Sequence, residues 1–204
     1  EALIEREGAD TIAAFIAEPV MGAGGVILPP PTYFDRIQPI LAKHDILFID
    51  DEVICGFGRT GNYWGAQTYN MRPHTVSCAK ALSSAYMPIS ALLIHEEMYQ
   101  AMLDQSRAIG TFGHGFTYSA HPVAAAVAIE TLKIYEERNI VAQVRKVSVP
   151  FLKRVRALRD HPIVGEADGV GLLAGVELVA DKASKRNFAA DKMVGAMCAN
   201  FAQE

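Results

Sequence analysis

ILFIDDEV, residues 46–53, sets four apolar residues directly ahead of an acidic triplet, Asp50, Asp51 and Glu52. A short apolar run rich in Ile and Phe reads as a buried strand. Ligands in open α/β sheets gather outside the carboxyl ends of strands, so the triplet marks a candidate site. The competing reading leaves all three carboxylates solvated in a loop. Working outward, TIAAFIAE (11–18), HTVSCA (74–79) and SALLIH (90–95) are further strands, and helical patterns alternate with them. That alternation predicts an α/β fold, a mostly parallel sheet with flanking helices, whose first part is a βαβ unit.

The connections carry their own signals. Thr32 can cap a helix whose Phe34, Ile37, Ile40 and Leu41 face inward, with Pro39 expected to kink it. After Glu96 a short helix leads into SRAIGTFGHGFTYSAHP (106–122), long enough to suggest a role in binding. Pro122 opens a long helix, and a second runs from Gln143 to Arg159 with Val144, Val147, Phe151 and Val155 spaced for one buried face. From Ile163 the alternation and glycines of VGEADGVGLLAGVELVADK describe a twisted hairpin. The expected division is therefore a large domain over 1–160 and the start of a small α+β domain over 161–204.

Composition bounds the function. Half of the 204 residues are apolar, 21% are charged, and the formal net charge is −4. Scattered Lys and Arg on an acidic chain argue against nucleic acid or an anionic membrane as main partner. Cys55, Cys78 and Cys198 are odd in number and far apart, which fits neither a disulfide framework nor a paired metal motif. A reducing, cytoplasmic setting is expected. His114 and His121 lack partners at ligand spacing, and His44, His74, His95 and His161 likewise read as structural or loop residues, so no metal is expected. No apolar run approaches the roughly 18 residues of a membrane span. Glu1 falls inside a helical pattern, and the stripe Met193, Val194, Met197, Cys198, Phe201 stops at Glu204 without a Gly or Pro terminator, which suggests a piece of a longer chain.

Lys80 closes the apolar stretch TVSCAK, 29 positions after Asp51. A lysine amine can form an imine with an aldehyde, and an aspartate can hold a protonated pyridine nitrogen. Pyridoxal phosphate chemistry needs both, one at each end of a flat ring. A lone lysine after a strand usually points into water. Here TVSCA before it and ALSSAY after it describe a buried turn, and burial lowers a lysine pKa toward the neutral, attacking form. GFGRTG at 56–61 matches G-x-G-x-x-G, but the dinucleotide reading requires a helix at once and an acidic residue about 20 positions on. NYWGAQTY is a poor helix start, and the next strand ends in Lys80, so that reading is weak. GHGFTYSAHP offers glycines, Thr117, Ser119 and a helix start that could wrap a phosphate; otherwise it is a mobile connection.

AEPVMGAGGVILPP (17–30), FIDDEVICGFGRTGNYWG (48–65), AKALSSAYMPISA (79–91) and HGFTYSAHP (114–122) occur in that order. Together they resemble the class III aminotransferases, which have the type I fold of pyridoxal phosphate enzymes. ICGFGRTG and GVELVADKASKRNF are most similar to the amine–pyruvate and β-alanine–pyruvate transaminases. The resemblance implies pyridoxal 5'-phosphate as cofactor, Lys80 as Schiff-base lysine, Asp51 against the pyridine nitrogen and Val53 against one ring face. Thr117 and the backbone of Phe116 fall on the loop that reaches the neighbouring subunit's cofactor phosphate, which implies a homodimer. Glu18 falls on the substrate side, where in several members it pairs with a mobile arginine.

The chain departs from the family pattern at Met21, usually glutamine, and at Ala85 and Ala120, often glycine. The family's N-terminal phosphate loop, ring-stacking aromatic and carboxylate-binding arginine match no residue here. The implied reaction is ping-pong transfer of an amino group from an amine or ω-amino acid to a keto acid such as pyruvate. Lys80 and Asp51 would equally serve a decarboxylase, racemase or aminomutase. An NAD-dependent oxidoreductase built on GFGRTG, or an inactive remnant, are the remaining readings.

Overall fold

The computed structural model describes residues 1–203. Strands β1 (Ala14–Ala17), β2 (Leu47–Asp51), β3 (Thr75–Cys78) and β4 (Ala91–Ile94) form one sheet in that order. β1, β2 and β3 are parallel, with Ala17 beside Asp50 and Asp51 beside Ser77. β4 returns antiparallel, because the stretch from Lys80 to Ser90 contains only a short 3₁₀ turn at Lys80–Leu82 and no crossover helix. α1 (Ala2–Glu7) precedes β1, and α2 (Tyr33–Lys43) crosses between β1 and β2 and runs on through Pro39. Thr32 stands at its cap in a left-handed conformation, so its hydroxyl caps nothing.

The burial pattern of β2 alternates, with Phe48 and Asp50 fully inside. Phe48 joins Phe34, Leu41, Ile46, Ala66 and Met71 in the principal core, covered by Ile12, Phe15, Trp64 and Tyr69. A second cluster of Phe57, Cys78, Ala81, Leu82 and Ala128 lies under the lysine turn, with Tyr63, Leu132 and Tyr135 packed on it. These two clusters fix the ends of β2 and β3, and with them the candidate site.

α4 (Glu96–Ile109) has 14 residues, longer than the short helix expected. Ser106 to Ile109 remain helical, and Gly110 at φ +79 ends the helix. The loop is therefore 110–121. α5 (Pro122–Glu137) starts at its proline, and α6 (Ile140–Ala157) starts three residues before the expected Gln143. Val144 and Ser148 are its buried residues, Phe151 and Val155 are half-buried, and Val147 is exposed. The stripe thus follows 144, 148, 151 and 155, the 3.6-residue period, and passes 147 by.

Beyond α6, β5 (Val164–Val170), β6 (Leu173–Asp181) and β7 (Arg186–Asn187) form a separate antiparallel sheet, and α7 (Val194–Phe201) follows. The β5–β6 turn presses on the large sheet's GFGRTG segment. Gly171 sits there at φ +59, and a Cβ on it would stand 2.2 Å from the Arg59 carbonyl oxygen, while the Leu172 N–H donates to that same oxygen at 2.9 Å. Only glycine permits so close an approach with that dihedral.

Candidate active site

Parallel pairing brings three chemically active residues to one edge. Glu18 follows β1, Asp51 ends β2, and Lys80 stands three positions beyond Ser77, the register partner of Asp51. Asp51 is half-buried; its Oδ1 accepts the Val53 N–H at 3.0 Å, and Oδ2 has no hydrogen-bond partner among the described residues. Val53, half-buried, is thereby held at the strand end. Glu18 Oε2 accepts the Gly22 N–H at 2.9 Å, which ties its carboxylate to the turn that follows β1. Glu18 and Asp51 line one cleft of about 520 Å³ with Pro19, Met21, Ile27 and Tyr33.

Lys80 lines a different cleft of about 510 Å³, with Phe57, Arg59, Tyr135, Val144 and Leu172. It is exposed, in contrast to the buried turn expected from its flanks. The reason is local. Ala81, Leu82 and Ser83 carry the burial of that turn, while Lys80 opens it at φ +43 with its side chain outward. Its amine makes no ion pair among the described residues.

The donor set fits a pyridine aldehyde. An uncommitted amine on a flexible four-carbon stem and a carboxylate oxygen without a partner lie on adjacent strand ends. Among the described residues no group of three or more His, Cys, Asp or Glu is placed to hold a metal ion.

Thr117 and Phe116 lie in the exposed 110–121 loop, where Phe116 N–H donates to Ser119 Oγ at 3.0 Å. Phe112, Phe116 and Tyr118 all present their rings to solvent. The loop does not close on Asp51 or Lys80 of its own chain, and neither cleft has Thr117 in its wall.

The acidic triplet is split by the pleat. Asp51 faces the edge, while Asp50 and Glu52 are wholly buried. Glu52 accepts the N–H groups of Gly65 and Ala66 at 2.9 and 2.7 Å, capping the four-residue helix α3 (Gly65–Thr68). Among the described residues Asp50 finds no N–H donor, and burial first, then the adjacent Glu52 carboxylate, push it up to about 9. Burial raises Glu52 as well. At neutral pH Asp50 is therefore the protonated partner, donating to Glu52. The solvated-loop reading fails for both residues. The signal was present in the sequence: 48, 50 and 52 share one face of a strand, and Phe48 marks that face as core.

The same contacts dispose of a dinucleotide. The first helix after GFGRTG is α3, and its N-terminal amides are already taken by Glu52. GFGRTG is instead a docking loop, with its Gly61 carbonyl and Asn62 bonded by Arg145 of α6 at 2.5 and 2.7 Å.

A lysine and an aspartate thus stand at neighbouring strand ends of a mostly parallel sheet flanked by helices. The chain belongs to the class III aminotransferase family, whose pattern it matches over residues 1–204. It is 57% identical over 196 residues to γ-aminobutyrate transaminase 3, chloroplastic, of Solanum lycopersicum, covering 96% of this chain and 38% of that protein. It is 55% identical over 205 residues to vanillin aminotransferase of Capsicum frutescens, covering 98% and 45%. Among solved structures, a transaminase with L-alanine superposes with a TM-score of 0.93 at 56% identity, covering 96% of this chain and 46% of that one. The Pseudomonas jessenii ω-transaminase in complex with PMP gives 0.90 at 51% identity, with 92% and 41% covered. The chain thus spans less than half the length of these relatives.

Proposed function

We propose that the protein containing this chain is a pyridoxal 5'-phosphate-dependent transaminase. The observation that carries the reading is the placement of Lys80 and Asp51 on adjacent parallel strand ends in a class III aminotransferase fold. When bound, the cofactor supplies an aldehyde for covalent capture and a protonated ring that accepts electrons from the substrate α-carbon. Lys80 Nζ would hold the aldehyde carbon and, as a free amine, would move the proton from the substrate. Asp51 Oδ2 would accept the N–H of the ring and keep that proton in place. Val53 would pack against one ring face, and Glu18 would orient the substrate side of the cleft.

The amino donor we propose is an amine or ω-amino acid, and the acceptor a keto acid, pyruvate first. The name of one relative, a γ-aminobutyrate transaminase, supports the donor class. A related structure with L-alanine supports pyruvate, since alanine is its amination product. Thr117 and the Phe116 backbone serve the phosphate of a neighbouring subunit, so the working unit is a homodimer; the outward aromatic loop supports this. The three unpaired cysteines support a reducing, cytoplasmic setting.

The test is Lys80→Ala in the full-length protein. Borohydride reduction with peptide mass spectrometry should find pyridoxal phosphate on the Lys80 peptide of the parent and none in the variant, with turnover lower by about a thousandfold or more. Attachment elsewhere, or retained turnover, overturns the assignment. Alanine formed from pyruvate with an amine donor separates transamination from decarboxylation and racemisation.

A further inference from the structure

The turn that carries Lys80 is under backbone strain. Lys80, Ser84 and Ala85 adopt φ of +43, +48 and +63, a region that costs side-chain-bearing residues energy. Such a segment persists only where its surroundings over-determine it. Ala81 and Leu82 are buried beneath it, and Ser83 Oγ donates to the Met87 carbonyl at 2.6 Å. The remaining restraint comes from far along the chain.

Tyr135, on α5, donates its hydroxyl to the Ala81 carbonyl at 2.7 Å. Its oxygen lies 2.6 Å from Ser84 Oγ. With the Tyr135 proton committed to Ala81, the Ser84 hydroxyl is the donor in that second bond. The chain Ser84 to Tyr135 to Ala81 therefore clamps both ends of the turn, one residue beyond the lysine and four beyond it. The Tyr135 ring also lines the cleft that Lys80 lines, and packs against Phe57 with centroids 6.4 Å apart. Among the described residues no other hydroxyl reaches the Ala81 carbonyl, which also accepts the Ser84 N–H at 3.3 Å.

We infer that Tyr135 is the positioning residue for Lys80: through the Ala81 carbonyl and the Ser84 hydroxyl it holds the strained turn in the one conformation that presents the amine to the cleft. This rests on the reading of Lys80 as the cofactor lysine. The Tyr135 hydroxyl is committed to Ala81 and Ser84, so it acts through the lysine turn. Its effect is on where the amine stands, so it governs the rate of covalent attachment and kcat more than KM.

The experiment uses the full-length protein stripped of cofactor. Pyridoxal phosphate uptake is followed by visible absorbance and by borohydride trapping at the Lys80 peptide, for the parent, Tyr135→Phe, Ser84→Ala and the double variant. Tyr135→Phe keeps the ring packing and loses both bonds, so attachment should slow by about tenfold, and kcat should fall with KM nearly constant. Ser84→Ala, at an exposed position, loses one bond and should slow attachment by about threefold. The double variant should match Tyr135→Phe, since both act on one chain of bonds. Urea unfolding midpoints should change little, which separates positioning from general stability. If Tyr135→Phe does not fold, Ser84→Ala alone decides. Attachment rates equal to the parent's overturn the inference, whereas a parent that takes up no cofactor at Lys80 overturns the functional reading beneath it.

Discussion

Replacing Asp50 with asparagine removes a titrating group from the interior while keeping its shape and a hydrogen-bond donor for Glu52. In the folded chain Asp50 is fully buried and pushed up to about 9, against an ordinary aspartate value of 3.8. Between those two values the folded state holds a proton that the unfolded chain has released. Stability from the protonated acid is complete below the unfolded pKa and is lost as pH rises toward about 9. At about 1.4 kcal/mol per pH unit, the loss accumulated by pH 7 is on the order of 4 kcal/mol. The amide of the variant has no such titration, but brings one N–H without an acceptor, worth about 1–2 kcal/mol. The expected outcome is a variant more stable by about 2 kcal/mol at pH 7, with an advantage that widens toward pH 9 and narrows to nothing or reverses near pH 4. Urea unfolding of the full-length protein across that range measures it. An advantage that does not grow with pH, or a variant less stable than the parent above pH 8, would refute the shared-proton account.

Two further outcomes follow from packing and burial. Gly171→Ala would drive a Cβ to within 2.2 Å of the Arg59 carbonyl oxygen; a loss of about 3 kcal/mol or more in thermal unfolding is expected, with faster hydrogen exchange at the Leu172 amide. Of the three thiols, Cys198 is exposed while Cys55 and Cys78 are buried, and burial pushes Cys55 up to about 12. A disulfide reagent at about pH 8 should therefore modify Cys198 rapidly and leave Cys55 untouched until the protein unfolds.

The sheet was legible from sequence because apolar runs of strand length end in residues that change character sharply, as ILFI does at Asp50. Helix ends were less so: Ser106 to Ile109 look like loop residues beside the glycines, yet the helix continues until Gly110 ends it. Val147 fits an apolar stripe when residues are counted in threes, and the accumulated angle carries it to solvent. At the site, Asp51 and Lys80 could be paired by spacing and by family resemblance. What spacing could not carry was depth. Lys80 has buried neighbours and is itself exposed, and Asp50 looks like Asp51 but lies on the opposite face of the pleat. Tyr135 gave no local signal, because its partners are 51 and 54 positions away and the bonds exist only once α5 packs on the lysine turn.

The alternation along β2 also constrains how the chain can go wrong while folding. A slip of one residue against β1 and β3 would turn Asp51 inward, bring Asp50 and Glu52 to the open edge, and leave the Gly65 and Ala66 amides without an acceptor. The mispaired sheet would bury a lone carboxyl among aromatic rings with nothing to share its proton. The buried acids thus proofread strand registry, rejecting by their chemistry an alignment that the apolar residues alone would half tolerate.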